Sequence, residues 1–376
     1  MPDIIYVDDE PEEFLSEAEA IRGRVKDVKF QKNESLDESF EDAKNAALWL
    51  FDFYLIDPDH GDYRDENGLS LFQKWKAAMG GRPTTVVVSN ALERAIGEPP
   101  GREERRHVIA QKHGVEWLGP KDPDTADRIN QLADASLSIG ESLELSSSGS
   151  GEPGVVDLRN LCVAVLRAPE TEDWSESAMR HIDRARPPRE VSTPSDTLKA
   201  QVVIGWLLAH VLPYPSFLLT DRQAALRLQI TPDSFRKLVE TVGTDGNGGA
   251  HQGKLLASRY EGPLSRFLGP RWWRAGIDDL AWHLSQDAAG FQAALEALAG
   301  TGAIKWLEQS EPVLVSDADL IETDEIAEAK DCVRVTDEDF PAGIDPAWVR
   351  IDEARSDKKL AAKVIYEDRE LLDDEE

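Results

Sequence analysis

Cysteine is scarce in this chain. Of its 376 residues only Cys162 and Cys332 carry a thiol, too few for a disulfide framework or a thiolate zinc site, so a reducing cytoplasm is the expected setting. Long apolar runs are also missing. The longest, Val202 to Leu219, is interrupted by His210, Pro213 and Pro215 and falls short of the roughly 18 uninterrupted apolar residues of a membrane span. The N-terminus is acidic rather than basic, which excludes the pattern of a secretory signal. Positive charge is the third scarcity: 42 Lys and Arg stand against 72 Asp and Glu, a net charge of −30. Such a surface repels nucleic acid and anionic lipid over most of its area.

The acidity is uneven. Residues 308–340 hold twelve Asp and Glu against two Lys and Arg, and residues 366–376 hold seven against one. Between Lys254 and Arg274 the sign reverses, with Lys254, Arg259, Arg266, Arg271 and Arg274 against Glu261. At this length the chain can bury two or three cores.

The first 140 residues alternate between strand-like and helix-like patterns. Ile4 to Val7 reads as a buried strand, followed by a helix with Pro11 in its first turn and Phe14, Leu15, Ala18 and Ile21 inward. Val25 to Phe30 fits an edge strand and Leu36 to Ala47 a second helix. Leu48 to Phe51, Thr84 to Val88 and Val115 to Leu118 fit three more strands, with helices over Asn67 to Met79 and Asp124 to Ile139. This alternation predicts an α/β fold with a doubly wound, five-stranded parallel sheet and right-handed crossovers. The run from Ser146 to Gly154 is almost wholly Ser, Gly and Pro and cannot bury a core. The expected organisation is a first domain over 1–140, a flexible linker over 141–154, a mainly helical domain over 155–307, and an acidic α+β or irregular region over 308–376.

Polar residues close several of these strands. Asp8 and Asp9 follow the first, Asp52 the third, Ser89 the fourth, and Lys121 comes shortly after the fifth. In parallel α/β sheets that edge holds the ligand crevice. Hard carboxylate oxygens at Asp8, Asp9 and Asp52, few in number, suit Mg²⁺ and leave room for phosphate oxygens. A carboxylate can also attack phosphorus to give an aspartyl phosphate, with Lys121 pairing with the phosphoryl oxygens and Ser89 donating to one of them.

The order of these pieces resembles the receiver domain of two-component response regulators. The resemblance covers residues 1 to about 140. It rests on Asp8-Asp9-Glu10-Pro11, Asp52-Phe53-Tyr54-Leu55, Asn67-Gly68-Leu69-Ser70-Leu71, Ser89, and Gly114-Val115 running to Lys121. It implies a flavodoxin-like receiver fold with Asp52 as phosphoacceptor, and Mg²⁺ bound by Asp8, Asp9, Asp52 and the Tyr54 carbonyl. Ser89 and Lys121 would report phosphorylation. The implied partners are a histidine kinase or phosphotransfer protein and a protein partner for the C-terminal region, with a homodimer as a further arrangement. Asp57, after Phe53 to Ile56, is the rival acceptor. Lys121 is preceded by Pro120 and followed by Asp122 where the family has proline, Leu118 stands where an aromatic is usual, and Asn90 replaces a small residue. A phosphatase of the haloacid-dehalogenase type would show Asp-x-Asp after the first strand, whereas here the two aspartates are adjacent. A receiver fold that acts as an interaction module without phosphorylation is the remaining alternative.

In the second half, Thr220 and Gln223 fit a capping box, and Thr231-Pro232 starts a second helix with Phe235, Leu238, Val239 and Val242 inward. The pair is similar to a helix-turn-helix, yet Asp221, Asp233 and Glu240 dilute Arg222, Arg227, Arg236 and Lys237. DNA binding there ranks below a protein-interaction role. The basic 254–274 segment interleaves Tyr260, Phe267, Trp272 and Trp273, and internal pairing with 308–340 is its expected use. Gly248 to Lys254 has the letters of a phosphate-binding loop but carries Leu255 in place of the hydroxyl. No second catalytic constellation is visible.

Overall fold

The computed structural model describes residues 3–8, 11–29, 43, 46–53, 67–79, 81–93, 106–147, 158–188, 196–244, 249–300, 304–318, 320–336, 340 and 344–373. They form two compact units. The first comprises residues 1–166, 187–209 and 262–268; the second comprises 167–186, 210–261 and 269–376. The first unit thus takes in stretches from far beyond the N-terminal 140 residues.

Unit 1 is built on a parallel sheet of β1 (Ile4–Asp8), β2 (Val25–Lys29), β3 (Leu48–Asp52), β4 (Thr84–Val88) and β5 (Trp117–Gly119). Their order is β2-β1-β3-β4-β5, with every neighbouring pair parallel and β2 on the edge. This is the flavodoxin-like order, in which the strand sequence reverses between β1 and β3. Every residue of β1, β3, β4 and β5 is buried. Burial on both faces explains why these strands read as continuous apolar runs rather than alternating ones.

Helices cover the sheet as their apolar faces dictate. α1 (Pro11–Glu17) and α2 (Glu19–Arg22) bury Phe14, Leu15 and Ile21, with Ala18 buried at the break between them. α3 (Gly68–Met79) lays Phe72 and Trp75 on the sheet, and Trp75 meets Trp49 and Phe51 edge-on at 5.5 and 5.4 Å. α4 (Arg106–Lys112), with Ile109 and Ala110 inward, has no counterpart in the sequence reading. Most of the helix expected over 36–47 lies outside the described residues.

α5 runs from Pro123 to Ser147, where the sequence suggested an end at Ile139. Asp122 caps its start by accepting from Thr125 N at 2.7 Å. Leu143 continues the buried stripe of Ile129, Leu132 and Ile139, and nothing between Gly140 and Ser147 is strong enough to stop a helix packed along one side. Residues 141–147 are therefore helix rather than linker; 148–154 lie outside the described residues. The helix Asp196–Trp206 packs on α5 and β4 and buries Ala200, Val203 and Ile204.

Unit 2 is mainly helical, then mixed. Its helices include Ser175–Arg184, Asp221–Arg227, Pro232–Thr244, Ala250–Ala257, Arg274–Gln286 and Phe291–Ala299. Leu228, Phe235, Leu238, Leu255, Ile277, Leu280 and Leu295 share one core. β6 (Leu218–Leu219) pairs antiparallel with β7 (Trp272–Trp273). The acidic region folds as β8 (Pro312–Ser316), β9 (Glu322–Glu328), β10 (Cys332–Val335) and β11 (Ala347–Arg350), in the order β10-β11-β8-β9. β11 and β8 are parallel and the other pairs antiparallel. Among the described residues no helix is long and apolar enough to cross a membrane.

Candidate functional site

Reversal of strand order between β1 and β3 opens a crevice at their C-terminal ends. Asp8 ends β1 and Asp52 ends β3, so both carboxylates project at this switch point. Lys121, two residues beyond β5, closes the group. Its Nζ lies 2.8 Å from Asp8 Oδ2 and 3.1 Å from Asp52 Oδ2. All three side chains are largely withdrawn from solvent, at 8% exposure for Lys121, 0% for Asp8 and 7% for Asp52. Burial would lower the Lys121 pKa, but the charges and hydrogen bonds of Asp52 and Asp8 outweigh it and hold the ammonium above the ordinary lysine value.

Tyr6 was not among the residues expected here. Its hydroxyl donates to Asp8 Oδ2, the same oxygen that Lys121 engages. The signal was available, because residues two apart on a strand share a face. Asp8 is thus oriented by a phenol and an ammonium together.

The backbone around Asp52 is tightly held. Phe53 N donates to Val88 O at 2.9 Å, and Phe53 O accepts from Gly68 N at 2.9 Å. Asn67 Oδ1 accepts from Ser70 N at 2.8 Å and fixes the start of α3. A Cβ on Gly68 would stand 1.9 Å from Asp52 O, so only glycine lets the helix approach the acidic strand this closely. The Asn67-Gly68 step is part of the site's framework.

Ser89 is fully buried one residue beyond β4. Its N donates to Gly119 O at 3.1 Å, tying β4 to β5, and its Oγ accepts from Ala91 N at 3.1 Å. Asp8, Asp52 and Lys121 therefore meet directly, while Ser89 stands at the same sheet edge with its hydroxyl engaged by the following turn. Asp9, Tyr54 and Asp57 lie outside the described residues. Among the described residues no group of three His, Cys, Asp or Glu is placed to hold a metal. The donor chemistry at Asp8 and Asp52 nonetheless fits Mg²⁺, since two anionic hard oxygens already converge on one cationic atom.

At the opposite end of β5 is a second buried polar group that the sequence reading did not single out. Arg82 grips Glu116 through both terminal nitrogens, with Nη2 to Oε1 at 2.6 Å. Glu116 also accepts from Thr85 N at 2.8 Å and from Gln201 Nε2 at 2.7 Å. Gln201 belongs to the helix Asp196–Trp206, so this carboxylate joins β4, β5 and that helix.

In unit 2 the capping box forms as expected. Gln223 N donates to Thr220 Oγ1 at 3.3 Å, and Thr220 N to Gln223 Oε1 at 2.9 Å. The three arginines of the helix pair are taken up by acids. Arg222 pairs with Asp324 at 2.8 Å, Arg227 with Asp278 at 3.0 Å and Arg236 with Asp233 at 2.9 Å. Lys254 pairs with Asp279 and Arg274 with Asp345, so these two basic residues find acids outside 308–340. Gly253 and Lys254 lie inside the helix Ala250–Ala257 rather than in a glycine-rich loop.

Comparison with protein-family models, with curated proteins and with solved structures returned no match. What defines the class is therefore the chain's own geometry: an α/β unit with a parallel sheet of flavodoxin-like order and a buried acid–lysine–acid cluster at its switch point.

Proposed function

We propose that unit 1 is a phosphoacceptor domain of the response-regulator receiver type, with Asp52 as acceptor. The observation that carries this reading is the position of Lys121 Nζ between Asp8 and Asp52. Two carboxylates and one ammonium, from three different strand ends, make a pocket that is anionic toward a metal and cationic toward a phosphoryl oxygen.

In the proposed reaction the Asp52 carboxylate oxygen attacks phosphorus, and the bond from phosphorus to the donor's imidazole nitrogen or acyl oxygen breaks with its electron pair. Asp8, together with Asp9, Asp52 and the Tyr54 carbonyl, would hold Mg²⁺, which supplies charge neutralisation for the incoming phosphoryl group. Lys121 exchanges its carboxylate contact for a phosphoryl oxygen, and Ser89 turns its hydroxyl from Ala91 N toward another. Adding about −2 of charge at Asp52 shifts both contacts. The shift biases the ends of β4 and β5 that carry Ser89 and Lys121.

On this reading the protein is a cytoplasmic signalling component that receives phosphate from a histidine kinase or phosphotransfer protein. It has no enzymatic activity beyond its own phosphorylation and dephosphorylation. Unit 2 is the output region, and protein interaction suits it better than DNA binding because Arg222, Arg227 and Arg236 are already ion-paired.

The test is incubation with acetyl phosphate and Mg²⁺ followed by intact mass of wild type, Asp52→Asn and Asp57→Asn. Addition of one phosphoryl group to wild type and Asp57→Asn, but not to Asp52→Asn, is the expected result. Addition that survives in Asp52→Asn but not in Asp57→Asn moves the acceptor to Asp57. Failure of all three to take up phosphate leaves a receiver-like fold that works by interaction alone.

A further inference from the structure

A cavity of about 390 Å³ opens in unit 2, between the helix Asp221–Arg227 and the β8–β9 hairpin. Small-molecule sites span roughly 300–1,000 Å³ and combine apolar walls with a few convergent polar groups. Here the walls include Tyr214, Phe340 and Trp348, and Ser316 and Glu322 supply polar groups.

Two features of the hairpin suggest a built site. Ser316 and Glu322 are direct register partners across β8 and β9, and the pairing slips between Leu314 and Ser316. Such bulges re-aim side chains and recur beside binding sites. Ser316 is 1% exposed, yet its Oγ has no hydrogen-bond partner among the described residues. A buried hydroxyl without a partner is unusual enough to call for one.

Glu322 adds a direction. Its Oε1 accepts from Gln223 Nε2 at 2.6 Å, and Gln223 is itself locked by the capping box through Thr220 N. The carboxylate is therefore aimed by a neutral amide. The arginines lining the cavity are otherwise engaged: Arg227 with Asp278 at 3.0 Å and Arg274 with Asp345 at 2.9 Å. Burial pushes the Glu322 carboxyl above its ordinary value, with Gln223, Arg222 and Arg271 offsetting only part of the effect.

We propose that this cavity binds a small organic amine, its ammonium directed at Glu322 and Ser316 and its apolar or aromatic body held among Tyr214, Phe340 and Trp348. Anions are disfavoured because the two lining arginines, Arg227 and Arg274, are already held by Asp278 and Asp345. Aromatic walls add attraction for a cation and none for a carboxylate. The inference is independent of phosphoryl chemistry in unit 1.

Titration calorimetry of the full-length protein with phenethylamine, 2-phenylethanol and phenylacetate tests it, because the three probes share a body and differ in head group. The amine is expected to bind saturably, and the alcohol and acid at least about tenfold more weakly. Glu322→Gln keeps an oxygen for Gln223 but loses the charge, and should weaken amine binding by at least about tenfold. Ser316→Ala, which deletes the hydroxyl, should weaken it severalfold. If Glu322→Gln does not fold, Ser316→Ala is read with the same three probes. Equal binding of acid or alcohol, absence of amine binding to wild type, or unchanged affinity in the folded variants would overturn the proposal.

Discussion

Lys121 Nζ stands 2.8 Å from Asp8 Oδ2 and so joins side chains 113 residues apart in the chain. The same nitrogen reaches Asp52 at 3.1 Å. One ammonium thus bridges the ends of two neighbouring strands.

Replacing Lys121 with Met leaves two buried carboxylates without their cation. Breaking a buried pair from one side costs about 3–5 kcal/mol, and chemical denaturation at pH 7 should show a loss of that size. Although burial lowers the lysine's pKa, Asp52 and Asp8 raise it further, so the folded value exceeds 10.5. A raised value means that the contribution is fully present below the unfolded pKa and fades as pH climbs through the folded one. The stability gap between wild type and Lys121→Met should therefore hold from neutrality to pH 10.5 and narrow above it. A gap that instead widened with alkaline pH would show that Lys121 is not the neutralising group.

Gly68→Ala tests the close approach of α3 to Asp52. The new Cβ meets Asp52 O at 1.9 Å, so either the helix start or the end of β3 must move. Overpacking of this kind costs about 1–3 kcal/mol or more. Thermal unfolding should register that loss, and phosphoryl uptake from acetyl phosphate should fall with it. Gly23→Ala is the matched control, since its Cβ meets nothing within 4 Å; its stability should be unchanged or slightly raised.

Asp368 provides a pH-dependent clasp in unit 2. It accepts from Arg334 N at 2.8 Å, Nε at 3.0 Å and Nη2 at 2.6 Å, and these bonds hold its carboxyl below the ordinary 3.8. A depressed value contributes stability above the unfolded pKa and loses it as pH falls through the folded one. Asp368→Asn should cost about 1–3 kcal/mol at neutral pH. The difference from wild type should close below pH 3.8. Urea titrations of the two proteins at several pH values measure this directly.

The sequence revealed most where burial is complete. β1, β3 and β4 lie within a residue of the apolar runs that announced them, because strands covered on both faces leave an uninterrupted hydrophobic signal. β5 begins at Trp117 rather than Val115; Glu116, inside the expected strand, is turned to Arg82 and Gln201 instead. α4 escaped notice because a seven-residue helix that buries Ile109 and Ala110 next to the polar His107 leaves little apolar periodicity to read. Asp8, Asp52 and Lys121 were legible as polar residues near the ends of apolar strands. Tyr6 was hidden inside such a run, where its ring counts as core and its hydroxyl goes unnoticed. The partnership of Gln201 with Glu116 spans 85 residues, and no local pattern encodes it.

That last partnership bears on how this protein can be divided. The helix Asp196–Trp206 roofs part of α5 and β4, so a fragment ending at Ser147 would expose apolar surface normally covered by Ala200, Val203 and Ile204. Unit 1 is therefore not a contiguous cassette. A truncation meant to isolate the parallel sheet must therefore retain residues 196–206 to keep that apolar surface covered.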